Sequence, residues 1–354
     1  MHDFITGIQQ VGIGVTDAES AMHSYKKLFG MDILIFDDVA DAKLMTQYTG
    51  DVLFKRRAIL TLNMTGGGGF EIWQFLDRTP KPPKKQSNYG DLGIFAPKIK
   101  CLDIQKAFDF YDKQTDLSPR WSNDQVASNN NGETSIWVGD KPGNQFQIVE
   151  AVDSFDKSSH VVGGVSGAVI GVSDMQASIN FYGTLLGEYE IISDRKENYK
   201  SVTDNEAKNY HKVLLRKKVC NTGAFGKMLG GIDIELVQAL DRRPNKIYEN
   251  RYWGDLGFIH LCLDVVDMDG LKNLMQKSSY PFTVDSNDSY AMEASAGRFC
   301  YLEDPDGTLI ELVETHKVPI LKKFGLFFNL KKRGIRKPLP KWMIQMLALS
   351  KVKG

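Results

Sequence analysis

Shifted by 164 positions, the chain repeats itself: Leu76-Asp77-Arg78, Pro80 and Gly90-Asp91-Leu92-Gly93 recur as Leu240-Asp241-Arg242, Pro244 and Gly254-Asp255-Leu256-Gly257. A duplication constrains the fold strongly, because each half must supply the same elements and place corresponding side chains in corresponding positions. Each half also repeats within itself, so four units result. The first runs from Ile8-Gln9-Gln10-Val11-Gly12-Ile13 through a helix over Ala18 to Leu28 and ends in Phe70-Glu71-Ile72-Trp73. The second opens over Gly93 to Ile99, has its helix near Ile104 to Tyr111 and closes on Phe146-Gln147-Ile148-Val149-Glu150. The third takes Val165 to Val172, Met175 to Leu185 and Ile234 to Val237, and the fourth takes Phe258 to Leu263 and Ile310 to Glu314.

Thr16-Asp17-Ala18-Glu19 and Ser173-Asp174-Met175-Gln176 each fit a capping box, with Thr16 or Ser173 as the cap and the acid or amide three residues on as its reciprocal partner. Apolar residues then recur at helical spacing, as in Ala177, Phe181 and Leu185, whereas Ala58-Ile59-Leu60-Thr61-Leu62 and Phe299-Cys300-Tyr301-Leu302 read as strands. Each unit therefore reads β-α-β-β-β.

This order resembles the vicinal oxygen chelate superfamily, which includes glyoxalase I, fosfomycin and bleomycin resistance proteins and extradiol dioxygenases. The resemblance covers about residues 5–315 and is most specific in Asp304-Pro305-Asp306-Gly307-Thr308-Leu309-Ile310-Glu311-Leu312 and in the strand opening on His260. It implies an α+β fold in which four βαβββ units form two open curved-sheet barrels. Residues 1–152 would make the first glyoxalase-like module, 162–315 the second and 316–354 a basic amphipathic tail. It also implies a metal held by the first and last strands of the units. The first-strand ligand position holds Gln10, Ala96, Gly167 and His260 in the four units, and the last-strand position holds Glu71, Gln147, Glu235 and Glu311.

The outcome depends on which units face each other. Consecutive pairing leaves both cavities incomplete. Exchange between the halves gathers Gln10, Glu71, His260 and Glu311 into one glyoxalase I quartet and leaves Ala96, Gln147, Gly167 and Glu235 in a retired site. Exchange explains the losses with the fewest assumptions and is the expectation here. An imidazole, two carboxylates and an amide oxygen suit a divalent ion such as Zn, Ni, Co, Mn or Fe(II). The resemblance implies that Glu311 also acts as general base in a lyase or isomerase working on a small oxygenated substrate through a metal-stabilised enediolate. Two alternatives stand beside it. One is an iron(II) extradiol or hydroxyphenylpyruvate-type dioxygenase, weakened because Gly167 stands where the triad's first histidine belongs. The other is a metal-free small-molecule-binding protein. Outside the quartet, His2, His23, His160, His211 and His316 lack motif context and read as surface or structural.

Over all 354 residues, 44 Lys+Arg balance 44 Asp+Glu and carry no nucleic-acid signature. The balance hides a division: after Glu314 there are eleven Lys and Arg and no acid, so the body through Thr315 is 33 minus 44, or −11, and the tail +11. The tail also holds an amphipathic helix from Lys341 to Leu347. Docking on the acidic body is its plainest reading; contact with a second subunit of a homodimer and association with an anionic membrane surface are the others. No segment approaches spanning length and Met1-His2-Asp3 opens no signal peptide, so a cytoplasmic protein is expected. Cys101, Cys220, Cys262 and Cys300 show no metal-binding spacing and read as buried thiols. Gly66-Gly67-Gly68-Gly69 reads as a flexible turn between strands, Ser128 to Gly132 as a loop and Val152 to Val161 as the linker. Asp77-Arg78 and Asp241-Arg242 read as structural salt bridges or turns, with Arg242 kept as a candidate substrate-binding anion contact. Trp73, Phe75, Trp137 and Tyr301 read as strand aromatics that pack.

Overall fold

The first unit comprises β1 (Ile5–Gly14), α1 (Ala18–Phe29), β2 (Ile33–Asp41), β3 (Lys55–Leu62) and β4 (Gly69–Phe75). The second comprises β5 (Gly93–Cys101), α2 (Ile104–Asp112), β6 (Arg120–Trp121), β7 (Ser135–Gly139) and β8 (Gln145–Glu150). The third holds β9 (Val162–Gly171), α3 (Met175–Leu186), β10 (Glu190–Tyr199), β11 (Lys208–Lys217), the short α4 (Gly226–Leu229) and β12 (Ile232–Ala239). The fourth holds β13 (Gly257–Val265), α5 (Met268–Lys277), β14 (Val284–Asp285), β15 (Tyr290–Met292), β16 (Ser295–Glu303) and β17 (Leu309–Leu321). This computed structural model describes residues 3–114, 119–121, 134–151, 154–156, 160–287, 290–292, 295–321 and 326–352. The loop expected over Ser128 to Gly132 and part of the expected linker lie outside the described residues.

The units pair by exchange. One curled sheet runs β14-β16-β17-β13-β1-β4-β3-β2, joining the fourth unit to the first, and the other runs β10-β11-β12-β9-β5-β8-β7-β6, joining the third to the second. Both seams are antiparallel, β1 on β13 and β5 on β9. Within the first unit β4 lies parallel to β1, and β17 lies parallel to β13 within the fourth. The two ends of the polypeptide thus share a half-barrel, with its middle in the other.

Strand alternation decides what each face carries. On β4, Phe70 and Ile72 enter the main core while Glu71 and Trp73 face the opposite way. Ile310 and Leu312 do the same around Glu311 on β17, and Leu261 and Leu263 flank the other face of β13. The core side is closed by Phe29 of α1, Ala107 and Tyr111 of α2, Phe181 of α3 and Leu271 of α5, all fully buried. Apolar residues at period two on strands and three to four on helices therefore build one shared core and leave the concave faces for polar chemistry.

Two local expectations need correction. The helix caps sit one residue later than the capping boxes suggest: Asp17 accepts from the Glu19 and Ser20 amides, and Asp174 from the Ala177 amide. Ser173 is engaged elsewhere, donating its hydroxyl to Asp306, and an aspartate caps as well as a hydroxyl. The four-glycine run is a fixed joint between the sheets rather than a flexible turn. Gly67 N donates to Met228 O, Gly68 N to Val165 O and Gly164 N to Gly66 O. A Cβ at Gly67 would lie 2.7 Å from the Gly164 carbonyl carbon, and Gly67 has φ +95°. Glycine is required there by close approach.

The tail docks on the body. After β18 (Leu326–Asn329) and α6 (Leu330–Arg333), α7 (Lys341–Gln345) runs into a 3-10 turn over Met346–Ser350. Leu330, Leu339 and Ile344 are buried in a cluster with Ile33, Leu62, Met64 and Met228. Among the described residues no helix is long and apolar enough to cross a membrane.

Candidate metal centre

On the concave face of the first sheet, Gln10 of β1, Glu71 of β4, His260 of β13 and Glu311 of β17 point at one another. His260 Nε2 lies 3.2 Å from Glu71 Oε2 and 3.1 Å from Glu311 Oε2. Gln10 Nε2 lies 3.4 Å from the same Glu71 oxygen and 3.3 Å from the same Glu311 oxygen. One donor atom from each of Glu71, His260 and Glu311 falls within 4.8 Å of the other two. The parallel pairing that sets Glu71 against Gly12 and Glu311 against Cys262 carries both carboxylates to the β1/β13 seam.

All four side chains are buried, His260 completely. Neither His260 Nε2 contact is aligned as a hydrogen bond, and both this nitrogen and Gln10 Oε1 have no hydrogen-bond partner. Buried polar atoms without partners are uncommon, and here they are two of the four that a cation would use. The amide of Gln10 turns its NH₂ toward the carboxylates, as repulsion between three oxygens dictates without a cation; rotation by half a turn presents the oxygen instead. A nitrogen, two carboxylates and an amide oxygen of this disposition fit a first-row divalent ion.

Electrostatics fit the same reading. Burial alone would depress the His260 imidazole, but Glu311 and Glu71 outweigh it and push the group up to about 10. Burial likewise opposes the charge on Glu311, and the adjacent His260 more than offsets it, holding the carboxyl below its ordinary value. The carboxylates of Glu71 and Glu311 thus favour positive charge at the His260 ring. The Tyr301 hydroxyl lies 3.3 Å from His260 Nδ1 and fixes the ring from behind. Gly12 leaves room for that ring, since a Cβ at Gly12 would be 2.4 Å from His260 Cε1.

The corresponding face of the second sheet is closed to a cation by the protein itself. Lys98 Nζ lies 2.6 Å from Glu235 Oε2, Lys212 Nζ lies 3.7 Å from Glu235 Oε1, and the Tyr89 hydroxyl donates to Glu235 at 3.0 Å. Burial works against the Glu235 charge, but Lys98 and Lys212 outweigh it and hold the group at about 2. Gln147 Nε2 donates to Ser135 Oγ. Tyr89, Phe95, Trp137, Tyr199 and Tyr210 fill the remaining space.

Arg242 is not brought to the quartet. It donates to Asp91 at 2.6 Å and to the Tyr89 carbonyl at 2.8 Å, and its repeat counterpart Arg78 pairs with Asp255 at 2.9 Å. Both arginines are thus held in salt bridges between the halves. His160, His211 and His316 contact Lys27 O, Asp194 and Glu314. Sequence reasoning missed Tyr301 as a partner of His260, and Trp73 and Tyr301 line the cavity rather than only packing. It also missed Lys98, whose signal was a lysine two positions beyond Ala96 on the same strand face.

The cavity lined by Gln10, Glu71 and Glu311 measures about 630 Å³. Residues 157–312 match the family model of the Glyoxalase/Bleomycin resistance protein/Dioxygenase superfamily. The match spans the third and fourth units of the chain. The chain's fold is similar along its length to glyoxalase I from Zea mays, with a TM-score of 0.53 at 13% identity, covering 87% of this chain and 92% of that one. It is also similar to a putative dioxygenase from Bacillus subtilis subsp. subtilis str. 168, with a TM-score of 0.56 at 11% identity, covering 99% and 98%. No curated protein matches the sequence. One concave face thus gathers Gln10, Glu71, His260 and Glu311, and the other sets Lys98, Lys212 and aromatic side chains around Glu235.

Proposed function

We propose that this chain is a divalent-metal-dependent lyase or isomerase of the glyoxalase type, acting on a small substrate with oxygens on adjacent carbons. The observation that carries the reading is the convergence of Gln10, Glu71, His260 and Glu311, with unpartnered Nε2 and Oε1 atoms, where Gln10, Glu71 and Glu311 line a cavity and His260 lies buried behind them. These four side chains would hold the ion, which when bound supplies positive charge to oxygen as negative charge develops there. Glu311 Oε2 takes a proton from one carbon and returns it to its neighbour, so that one carbon is oxidised as the other is reduced and the overall change is redox-neutral. Tyr301 keeps the His260 ring oriented, and Trp73 and Trp253 exclude water from the charged floor.

The oxygenase alternative has less support, because the donor set holds one imidazole and two carboxylates rather than two imidazoles and one carboxylate. The test begins with elemental analysis of protein equilibrated with Zn, Ni, Co, Mn or Fe(II). One ion per chain is expected for the wild type, and a substoichiometric amount for Glu311→Ala. Proton NMR in heavy water then follows exchange at the carbon beside a carbonyl in vicinal oxygenated compounds. Exchange that continues without oxygen supports the proposal. Absence of a stoichiometric ion, or turnover that stops when oxygen is removed, overturns it.

A further inference from the structure

The lining of the cavity narrows the substrate class. Besides Gln10, Glu71 and Glu311, the lining includes Phe36, Trp73, Trp253 and Phe299 from the body, with Met346 and Leu347 from the tail. At about 630 Å³ the space is that of a drug-sized ligand, several times what two oxygen-bearing carbons occupy. Arg56 is the buried cation among the described lining residues, and its charge is taken by Asp38 at 2.7 Å. Lys43 and Lys317 line the cavity only as exposed side chains. A substrate entering this space would meet apolar surface beyond the chelating floor.

One stretch of the lining belongs to neither repeat. It is the turn Met346–Ser350, which presents Met346, Leu347 and Ser350 to the cavity. The turn is clamped from both sides. Ile344, 2% exposed, anchors the preceding helix. Lys351 pairs with Asp32 at 2.8 Å, Val352 N donates to Asp32 O at 2.7 Å and Lys26 Nζ donates to Val352 O at 2.9 Å. A segment fixed by an ion pair, backbone bonds and a buried isoleucine is a built wall, and its thioether and leucine tips are the adaptable apolar groups that fit an alkyl or aryl body.

We infer that the substrate of this centre carries an apolar alkyl or aryl body next to its vicinal oxygens, and that Met346 and Leu347 of the C-terminal turn determine how long that body can be. The inference rests on the proposed chelating role of the quartet. Its test uses the full chain and a series of n-alkyl hydroxamates from acetohydroxamate to octanohydroxamate, each offering two adjacent oxygens and a chain of increasing length. Binding is measured by calorimetry, with and without added zinc. Affinity is expected to rise about fourfold per buried methylene before reaching a plateau. Leu347→Arg should weaken the octanoyl member at least tenfold and the acetyl member less than twofold. Leu347→Phe, which keeps the wall apolar, should move the plateau to a shorter chain, and it serves if the arginine variant does not fold.

The two ideas fail separately. A slope with chain length that is the same with and without zinc, where zinc adds no affinity, removes the chelating role and leaves the apolar body standing. Tightening by zinc with no slope, or a slope that Leu347 substitutions leave unchanged, overturns the inference and leaves the chelating role. Failure of every member to bind overturns it as well.

Discussion

Replacing Glu235 by glutamine tests whether the second concave face has exchanged a metal for its own lysines. Glu235 is 7% exposed and is approached by Lys98 and Lys212, themselves 2% and 4% exposed. Its carboxyl titrates at about 2 against an ordinary 4.5. At about 1.4 kcal/mol per pH unit, that gap corresponds to about 3 kcal/mol of folding stability. The sign follows from the depressed value: the contribution is present above the unfolded carboxyl's range and is lost as pH falls through about 2. Glutamine retains the shape and a hydrogen bond but takes the anion from the buried Lys98 and leaves Lys212 with Glu197 at 3.2 Å; breaking a buried pair in this way typically costs about 3–5 kcal/mol. Urea unfolding of the wild type and Glu235→Gln at pH 7 should therefore separate by about 3 kcal/mol or more. The difference should shrink as pH falls from 4.5 toward 2. A loss under about 1 kcal/mol, or one independent of pH over that range, would show that Lys98 and Lys212 do not depend on Glu235 and would refute the account of the retired site.

Three further outcomes are expected. Gly12→Ala should leave circular dichroism native while lowering divalent-ion affinity at least tenfold by calorimetry, because the new methyl group occupies the space of the His260 ring; unchanged affinity would remove Gly12 from the argument. Tyr301→Phe deletes the hydroxyl behind His260 and should weaken the ion about 10–100-fold, as loss of an orienting partner does, with equal affinity counting against that role. Burial pushes Asp304 up to about 6 despite bonds from Thr308, Tyr182 and Asp306, so its ionisation destabilises the fold as pH rises from about 4 through 6; Asp304→Asn should flatten the stability profile there by about 3 kcal/mol, and an unaltered slope would refute it.

The architecture was legible because periodicity and repetition are local properties. Phe70-Glu71-Ile72 and Ile310-Glu311-Leu312 show by alternation alone that a glutamate faces away from the core, and comparing four such strands marks the positions where ligands are kept or lost. The pairing of units was legible only indirectly, through the pattern of losses, because partners such as Gln10 and Glu311 stand 301 positions apart. Asp17 and Thr16 are both capable caps, and only the fixed backbone selects between them. Lys98 and Tyr301 looked like ordinary strand residues because their partners, Glu235 and His260, come from other strands. The role of the tail was hidden for the same reason: nothing in Met346 or Leu347 announces that they reach the cavity.

The exchange of units also sets a timetable for the chain's own synthesis. The inner edge of β1 finds its mate only when β13 appears, after the 181 residues between Phe75 and Gly257 have been made. At roughly 5–20 residues per second that is about 10–40 s during which a strand edge stands unsatisfied. The intervening units can close their own half-barrel meanwhile, but His260 and Glu311 reach Gln10 and Glu71 only when β17 is in place. Before β13 and β17 are made, Gln10 and Glu71 stand without His260 and Glu311, and a break anywhere between β4 and β13 would separate the two pairs of side chains.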